Sequence, residues 1–283
     1  MKLWEIFRYD AVTQLRRYTT LIYAVGLAVV TVLAATTFFD DVVRDGIFLN
    51  APMVTTACLI IASMVGVLVT AALAGEAGTR DTEARMEPLL YTTPLAKAAY
   101  LGGRFLSAFA VNALLLAIVP LTLAVWTFVP IGEAASFGPF RLGPYVSAFL
   151  IVALPNAFIA TALLFSLVVL TRRAMVGYLG AAVLFFNSAI QEGIVAGALG
   201  KWELAKHLDL FGFIIGAAQW RSRTPLQRNT LPLQFEGALL TNRLLWLSVA
   251  VVLLTLVYLR FRMAHYAPAG GWWSGGLSAR RFR

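Results

Sequence analysis

Residues 52–75 read PMVTTACLIIASMVGVLVTAALAG, an apolar run without one charged side chain. A helix crosses the ~30 Å hydrocarbon layer of a bilayer in about 20 residues, so this run is long enough to span it. Further uncharged apolar stretches cover residues 21–39, 105–131, 145–170, 174–191 and 244–259. The last one is short, but Arg243 and Arg260 can snorkel outward from its ends. The sequence therefore predicts an all-α membrane protein with six transmembrane helices.

The distribution of basic residues predicts how these spans are oriented. Most Lys and Arg residues precede the first stretch, separate the second from the third, follow the fourth, or follow the sixth. The two shorter loops on the other side hold only Arg44 and Arg141. The connection before the last span is basic as well, but at about 50 residues it is too long to weigh heavily. Because cytoplasmic loops are enriched in Lys and Arg, both termini are predicted to be cytoplasmic.

The composition places the chain among membrane proteins. Apolar residues make up 60% of it and charged residues 13%, with a mean hydropathy of +0.78. The net charge of +9 suggests a nucleic-acid partner, but the basic residues stand at span ends, where anionic headgroups attract them. No nucleic-acid partner is therefore expected. Cys58 is the only cysteine, so the chain can form no internal disulfide.

The spacing of apolar residues in segment 2–18 predicts an amphipathic helix ahead of the first span. Apolar side chains recur there at helical spacing, namely Trp4, Phe7, Ala11, Leu15 and Tyr18. A basic helix with an aromatic edge beside a span typically lies in the headgroup plane. Residues 1–19 are therefore expected to form an interfacial helix, and a cytoplasmic extension of the first span is the alternative.

The loop between the second and third spans is the most informative polar segment. Residues 76–87 suit a short charged helix with two ion pairs at four-residue spacing. These pairs are Glu76 with Arg80 and Asp81 with Arg85. Pro88 should end the helix, and Thr93 and Pro94 supply a cap and a first-turn proline for the next one. The segment is either a docking surface or a set of solvated charges.

Prolines interrupt two of the predicted spans, Pro120 in the third and Pro155 in the fourth. A proline frees a backbone carbonyl, and the neighbouring Asn156 can hydrogen-bond to another helix. These residues are candidates for a hinge or for part of a translocation path. Ordinary helix packing is the alternative, because proline is common in membrane helices. Asn112 in the third span has the same two interpretations.

The connection between the fifth and sixth spans contains a further apolar segment at residues 210–220. It is too short, and too interrupted by glycine, to cross a bilayer. A re-entrant or interfacial helix is therefore predicted, with Trp220 at headgroup level. Trp202 and Trp246 are expected at the same interface.

The residues that an enzyme or an ion-coupled carrier needs are missing. His207 and His265 have no partner at metal-ligand spacing, and no zinc-protease or serine-hydrolase motif occurs. None of the six apolar stretches contains a charged residue, although ion-coupled transporters typically need one at depth. No phosphate-binding loop is present either. We therefore expect no catalytic site, no metal and no directly bound cofactor, so that a partner supplies any energy.

Several strings resemble a known family of membrane proteins. The most specific are EPLLYTTPL at residues 87–95 and YLGGR at residues 100–104. Shorter ones are DLFG at 209–212, RNT at 228–230 and NRLLW at 242–246. Together with six spans, an in-plane helix and a re-entrant connection, they resemble the type-2 permease class, the membrane subunits of ATP-binding-cassette exporters. The likeness covers nearly the whole chain.

This resemblance implies a permease domain at residues 20–262 and a Gly- and Arg-rich cytoplasmic tail at residues 263–283. It also implies a cytoplasmic ATPase subunit that hydrolyses ATP, and a second permease half, either another copy or a related subunit. The ATPase-coupling surface would consist of Arg80, Asp81, Glu83, Arg85 and Glu87, with Thr93 and Pro94 as a rigid link. Longer members of the bacterial subgroup carry a second permease half and a zinc aminopeptidase-like domain. Residues 1–283 contain neither, so the chain is either a naturally short member or a part of a longer polypeptide.

The function expected from the resemblance is export of an unidentified amphipathic or hydrophobic substrate across the bacterial cytoplasmic membrane. Two alternatives stay open, a membrane scaffold or accessory subunit without a transport path, and an energy-independent channel or carrier. An intramembrane enzyme is a further alternative, against which the missing residues count. The substrate has no signature in the sequence, since membrane-facing grooves are lined by ordinary apolar side chains.

Overall fold

The computed structural model of the protein describes residues 2–37, 43, 45–83, 95–129 and 137–261, which are mostly helical and contain no strand. The helices are α1 (Lys2–Leu15), α2 (Tyr18–Thr37), α3 (Pro52–Glu83), α4 (Lys97–Phe128), α5 (Leu142–Thr171), α6 (Ala174–Ala198), α7 (Trp202–Leu208), α8 (Phe213–Arg221), α9 (Pro225–Thr230) and α10 (Gly237–Arg260). Of these, α2 to α6 and α10 are long and apolar enough to cross a membrane. The predicted all-α chain with six such helices is confirmed.

Helices α3 and α4 extend beyond the predicted spans. Helix α3 continues without a break through Glu76 to Glu83, so the predicted charged helix is, in its described part, the end of the second span. Helix α4 begins at Lys97 and already contains Arg104. Ala, Glu and Arg favour helical conformation, so this polar sequence prolongs the helix instead of interrupting it.

Helices α3 and α5 occupy the centre of the bundle. Of their most apolar windows, 67% and 61% are buried inside the protein, against 22% for α6 and for α10. Helix α3 packs against α4, α5 and α6, while α10 packs on α5 and α2 packs on α4. Helix α1 lies against α4, at the end of the bundle that we call the α1 end. The peripheral spans turn apolar side chains outward, as lipid-facing helices do.

Glycines allow the central helices to approach each other closely. A Cβ atom on Gly78 of α3 would lie 2.6 Å from Val168 Cγ1 of α5. A Cβ atom on Gly177 of α6 would lie 2.7 Å from Val168 Cγ2. Small residues at such contacts are typical of helix pairs in membranes, where close packing and not hydrophobicity drives association.

Gly78→Ala is therefore expected to destabilise the bundle by about 1–3 kcal/mol, the usual cost of overpacking. The matched control is Gly26→Ala in α2, where a Cβ atom would meet nothing within 4 Å. Thermal unfolding can be followed through reaction of the buried Cys58 thiol with a fluorescent maleimide. Equal melting temperatures for the two variants would contradict the close contact between α3 and α5.

A wide helical turn precedes Pro155 in α5. Residues Phe149–Ala153 form a π-helical turn, and the Leu154 N–H bonds to the Phe149 carbonyl. Proline has no N–H and clashes with the preceding turn, and a wider turn relieves that clash. Pro120, in contrast, lies inside the continuous helix α4. A hinge or pathway role stays a prediction for both prolines.

The connection between α6 and α10 folds as the short helices α7, α8 and α9. Leu210 and Phe211 within it are fully buried, so this part lies against the protein and not in lipid. Trp220 is 6% exposed and packs on Gly216. The protein itself thus encloses the ring, and the position of Trp220 at headgroup level stays a prediction. Trp202 is 46% exposed, as an interfacial residue would be.

Candidate functional site

A cluster of polar and charged side chains joins three helices at the α1 end. We call it the α1-end cluster, and it consists of Asp10 of α1, Arg80 and Asp81 of α3, and Tyr100 and Arg104 of α4. Arg80 Nη1 lies 3.1 Å from Asp10 Oδ1. Asp81 Oδ2 accepts hydrogen bonds from Arg104 Nη2 at 2.5 Å and from Tyr100 Oη at 2.8 Å. The cluster thus brings together the first two residues of the predicted coupling surface.

A close backbone contact places α1 within reach of these partners. A Cβ atom on Gly103 of α4 would lie 2.8 Å from Ile6 Cγ2 and 3.1 Å from the Leu3 carbonyl oxygen. Only a glycine leaves room for α1 at this distance from α4. The same approach carries Asp10, one turn further along α1, to Arg80 and Arg104.

Burial makes the charges of this cluster depend on one another. Asp10 is 4% exposed and Arg104 is 7% exposed. Burial raises the pKa of Asp10, whereas the neighbouring Arg104 and Arg80 act to lower that pKa. Arg104 Nη1 also donates to the Ala77 carbonyl at 3.0 Å. Because a buried charge without a partner is strongly destabilising, the cluster fixes the ends of three helices relative to each other.

A second ion pair ties the N-terminal segment to α3. Arg17 Nη1 lies 2.6 Å from Glu76 Oε2. The sequence allowed Glu76 to pair with Arg80, but each binds a residue of the N-terminal segment instead. The four-residue spacing permits the local pair, and the position of α1 beside α3 offers the distant partners that the structure contains.

A cleft of about 520 Å³ opens at the α1-end cluster, where Lys2 and Glu5 of α1 add to its lining. The rest of the predicted coupling surface, namely the Glu83 side chain, Arg85, Glu87, Thr93 and Pro94, lies outside the described residues. Arg80 and Asp81 both have partners within the chain. Their contact with an ATPase stays a prediction, and their geometry favours a link between α1, α3 and α4.

A second polar cluster surrounds Arg243 of α10 at the opposite end. Its side chain is 1% exposed, with Nη1 at 2.6 Å from Asn156 Oδ1 and Nη2 at 2.9 Å from the Phe211 carbonyl. The prediction that Arg243 snorkels outward is therefore wrong. Helix α10 begins at Gly237, so residue 243 lies inside the span. A buried guanidinium needs acceptors for its N–H groups, and Asn156 of α5 and the connection between α7 and α8 supply them.

Asp209 and Gly212 hold that connection in place. Asp209 accepts hydrogen bonds from Ser188 Oγ at 2.6 Å and from the Ile214 N–H at 2.7 Å. Burial raises the pKa of Asp209, and these bonds together with Arg243 act to lower it. Gly212 has a φ of +82°, where side chains are strained. A Cβ atom there would also lie 2.5 Å from Arg243 Nη2, so only glycine fits.

Two asparagines predicted as packing or pathway residues have packing partners. Asn156 accepts the Arg243 bond and donates Nδ2 to the Phe211 carbonyl at 3.3 Å. Asn112 of α4 donates to Thr161 Oγ1 of α5 at 3.1 Å. Both amides therefore join neighbouring segments, and a pathway role for either stays a prediction.

Sequence reasoning did not select several residues that form these clusters. In the sequence, Asp10 is one of the polar residues of the amphipathic segment 2–18, and Arg104 and Arg243 are basic residues at the ends of apolar stretches. The strings that carry the resemblance already contained Tyr100, Arg104 and Arg243. The resemblance of these strings to a known family is the sequence feature that indicates these three residues.

The two clusters combine carboxylates, guanidinium groups and amides that bind one another. In the described part of the chain, no group of three or more His, Cys, Asp or Glu side chains could hold a metal ion. The contacts within both clusters join helices to each other and to connecting segments. In comparisons with known proteins, no family model matches the chain, and no curated protein matches it.

Proposed function

We propose that this chain is one permease half of an ATP-driven exporter of the type-2 class, powered by a separate cytoplasmic ATPase. The observation that supports this most is the α1-end cluster. Its ion pairs, Arg80 with Asp10 and Arg104 with Asp81, link α1 to the ends of α3 and α4. The chain that joins α3 to α4 is where the ATPase would dock.

A push on that connection would move α1, α3 and α4 as one body. Asp10, Asp81 and Arg104 are largely removed from solvent, while the Arg80 side chain is 27% exposed. Separating either pair therefore leaves at least one poorly solvated charge without its partner. A small displacement at a docking surface reaches distant elements only when packed elements move together. The α1-end cluster meets that requirement, and α1 would act as a second lever along the headgroups.

The described spans contain no chain of ionisable groups that could use an ion gradient. Their acidic residues stand toward the helix ends, at Glu76, Asp81, Glu83 and Glu192. Arg243 is buried but is held by its hydrogen bonds to α5 and to the α7–α8 connection. Ion-coupled transporters typically carry ionisable residues along their path. A partner that hydrolyses ATP is therefore the energy source in this proposal.

A groove between α2 and α4 supports the proposal that the substrate is hydrophobic or amphipathic. It encloses about 640 Å³, and Leu121, Val125 and Trp126 of α4 face Val32 and Thr36 of α2 across it. A groove of this size is within the range of small-molecule sites. The outward faces of α2, α6 and α10 leave space for a second permease half, as a homodimer or with a related subunit.

A membrane scaffold or accessory subunit is the second candidate function. Arg80 and Asp81 both bind residues of the same chain, and a polar network that joins helices also suits a rigid structural subunit. Such a subunit would need neither a dimer nor an ATPase. An energy-independent channel differs from both candidates, since it would conduct in liposomes that contain only this chain.

Affinity purification of the tagged chain from its native membrane tests the proposal. An ATP-binding-cassette ATPase and a second permease half are expected to accompany the chain, and the complex should hydrolyse ATP. The same purification in a strong dissociating detergent serves as the control. A monomer without a nucleotide-hydrolysing partner would favour the scaffold, and flux through the chain alone would favour the channel.

A further inference from the structure

A polar pocket of about 340 Å³ lies beside the Arg17–Glu76 ion pair. It forms where the end of α1 and the start of α2 meet α3 and α6. Its polar lining comes mainly from Gln14, Arg17, Thr20, Tyr23, Glu76 and Tyr178. The pocket shares no lining residue with the cleft at the α1-end cluster. It is therefore a separate site, at the level where two lipid-facing spans begin.

Two oxygen atoms of this lining are buried without a hydrogen-bond partner among the described residues, Gln14 Oε1 and Glu76 Oε1. Gln14 is 2% exposed. Two nearby donors are directed elsewhere, since Thr20 Oγ1 donates to the Gln14 backbone carbonyl and Arg17 Nη1 donates to Glu76 Oε2. Buried acceptors without a donor are rare in folded proteins. The pocket therefore has room for a ligand that brings donors.

The charge of Glu76 selects the kind of donor. A primary ammonium carries a positive charge and three N–H groups and has no acceptor. It can bond to Glu76 Oε1, to Gln14 Oε1 and to a tyrosine hydroxyl of the lining. The Arg17 side chain is 45% exposed, which leaves guanidinium N–H groups for a phosphate. An ammonium and a phosphate a few atoms apart would engage both ends of the pocket.

We propose that this pocket binds the headgroup of a phosphatidylethanolamine lipid in the leaflet at the α1 end. Glu76 and Gln14 hold the ammonium, and Arg17 holds the phosphate. Tyr23 and Tyr178 stand at the starts of α2 and α6, where aromatic residues meet headgroups. A choline headgroup has no N–H donor, and a glycerol headgroup has no cation. The proposal requires the membrane location of the chain but not the ATPase.

Titration of the purified chain in detergent with lipids of identical acyl chains tests this site, with bound lipid counted by native mass spectrometry. The ethanolamine lipid is expected to bind about tenfold more tightly than the choline lipid, as one charge-assisted hydrogen bond would give. Glu76→Gln should bring the two affinities close to parity. Glu203→Gln is the matched control, because Glu203 also pairs with a cation, Lys206, but away from the pocket.

Equal affinity of the unmodified chain for the two lipids would overturn the proposal, and this comparison stands even where Glu76→Gln does not fold. Full selectivity in a folded Glu76→Gln variant would overturn it as well. If water alone fills the pocket, the ethanolamine and choline lipids should bind with equal affinity. Soluble phosphoethanolamine is expected to bind about tenfold more weakly than the lipid, by lack of acyl-chain burial. Equal affinity for the soluble compound would overturn the assignment to a lipid.

Discussion

Arg243→Met should destabilise the protein by about 3–5 kcal/mol, the largest loss of stability that we expect from one side chain. The substitution removes the Arg243 donors to Asn156 Oδ1 and to the Leu210 carbonyl, and one of the two donors to the Phe211 carbonyl. It also removes the positive charge that favours ionised Asp209. Methionine fills much of the volume but satisfies none of these buried acceptors. For a chain of this size the melting temperature should fall by about 10 °C.

Reactivity of the Cys58 thiol measures this loss without a label elsewhere in the chain. Cys58 is the only cysteine and is 1% exposed, so a maleimide dye reacts with it on unfolding. Arg221→Met in α8 is the matched control, because Arg221 is exposed. A melting temperature for Arg243→Met equal to that of the control would contradict the buried network.

The Arg243 cluster also restricts how α5 can move. Asn156 follows Pro155 directly and is bonded to both α10 and the α7–α8 connection. Any bending at the π-helical turn before Pro155 must either carry these segments along or break their bonds. A hinge at Pro155 would therefore be a hinge of α5 together with its neighbours, and not of α5 alone.

The sequence predicted the six spans because hydropathy and length are local properties. The burial of Arg243 could not be predicted in the same way. Its partners at residues 156, 210 and 211 are distant in sequence, and periodicity alone suggested an arginine at the end of a short span. Helix α10 starts at Gly237, ahead of the apolar stretch, so Arg243 lies within the helix and not at its end.

The α1-end cluster was predictable in part. Arg80 and Asp81 were selected as charged residues between two spans, but the spacing rule assigned them to local pairs. The role of Asp10 depends on contact between α1 and α4 at Gly103, which is a property of packing. A polar residue on an amphipathic helix faces solvent, headgroups or another helix, and a single sequence does not distinguish these three environments.

If the chain is the proposed permease half, Asp81→Asn should reduce ATP-driven transport by about tenfold or more while the chain still folds and inserts. Asp81 is the shared acceptor of Tyr100 and Arg104. The amide keeps the shape of the side chain but loses the charge that pairs with Arg104. The end of α3 is then no longer fixed to the start of α4, and a push between them is lost. A tenfold loss corresponds to a coupling free energy of about 1.4 kcal/mol.

Reconstitution in proteoliposomes of the chain with the ATPase that the proposal requires measures this effect as substrate flux and as stimulated ATP hydrolysis. Glu203→Gln is the control, since it removes the charge of an exposed ion pair at the opposite end. In a double-mutant cycle, Arg104→Gln should add little to Asp81→Asn, because both remove the same link. Additive losses would show that the two residues act independently.

Retention of ATPase binding decides between two roles for Asp81. Its side chain is only 12% exposed, so we expect Asp81→Asn to keep the ATPase bound and to lose its stimulation. Loss of binding would instead place Asp81 on the docking surface itself. Normal ATP-driven transport in the variant would refute both roles. Single-cysteine labelling in a Cys58→Ser background shows on which side of the membrane residues 80–87 lie. A position outside the cytoplasm would also refute both roles, because no cytoplasmic ATPase could then reach these residues.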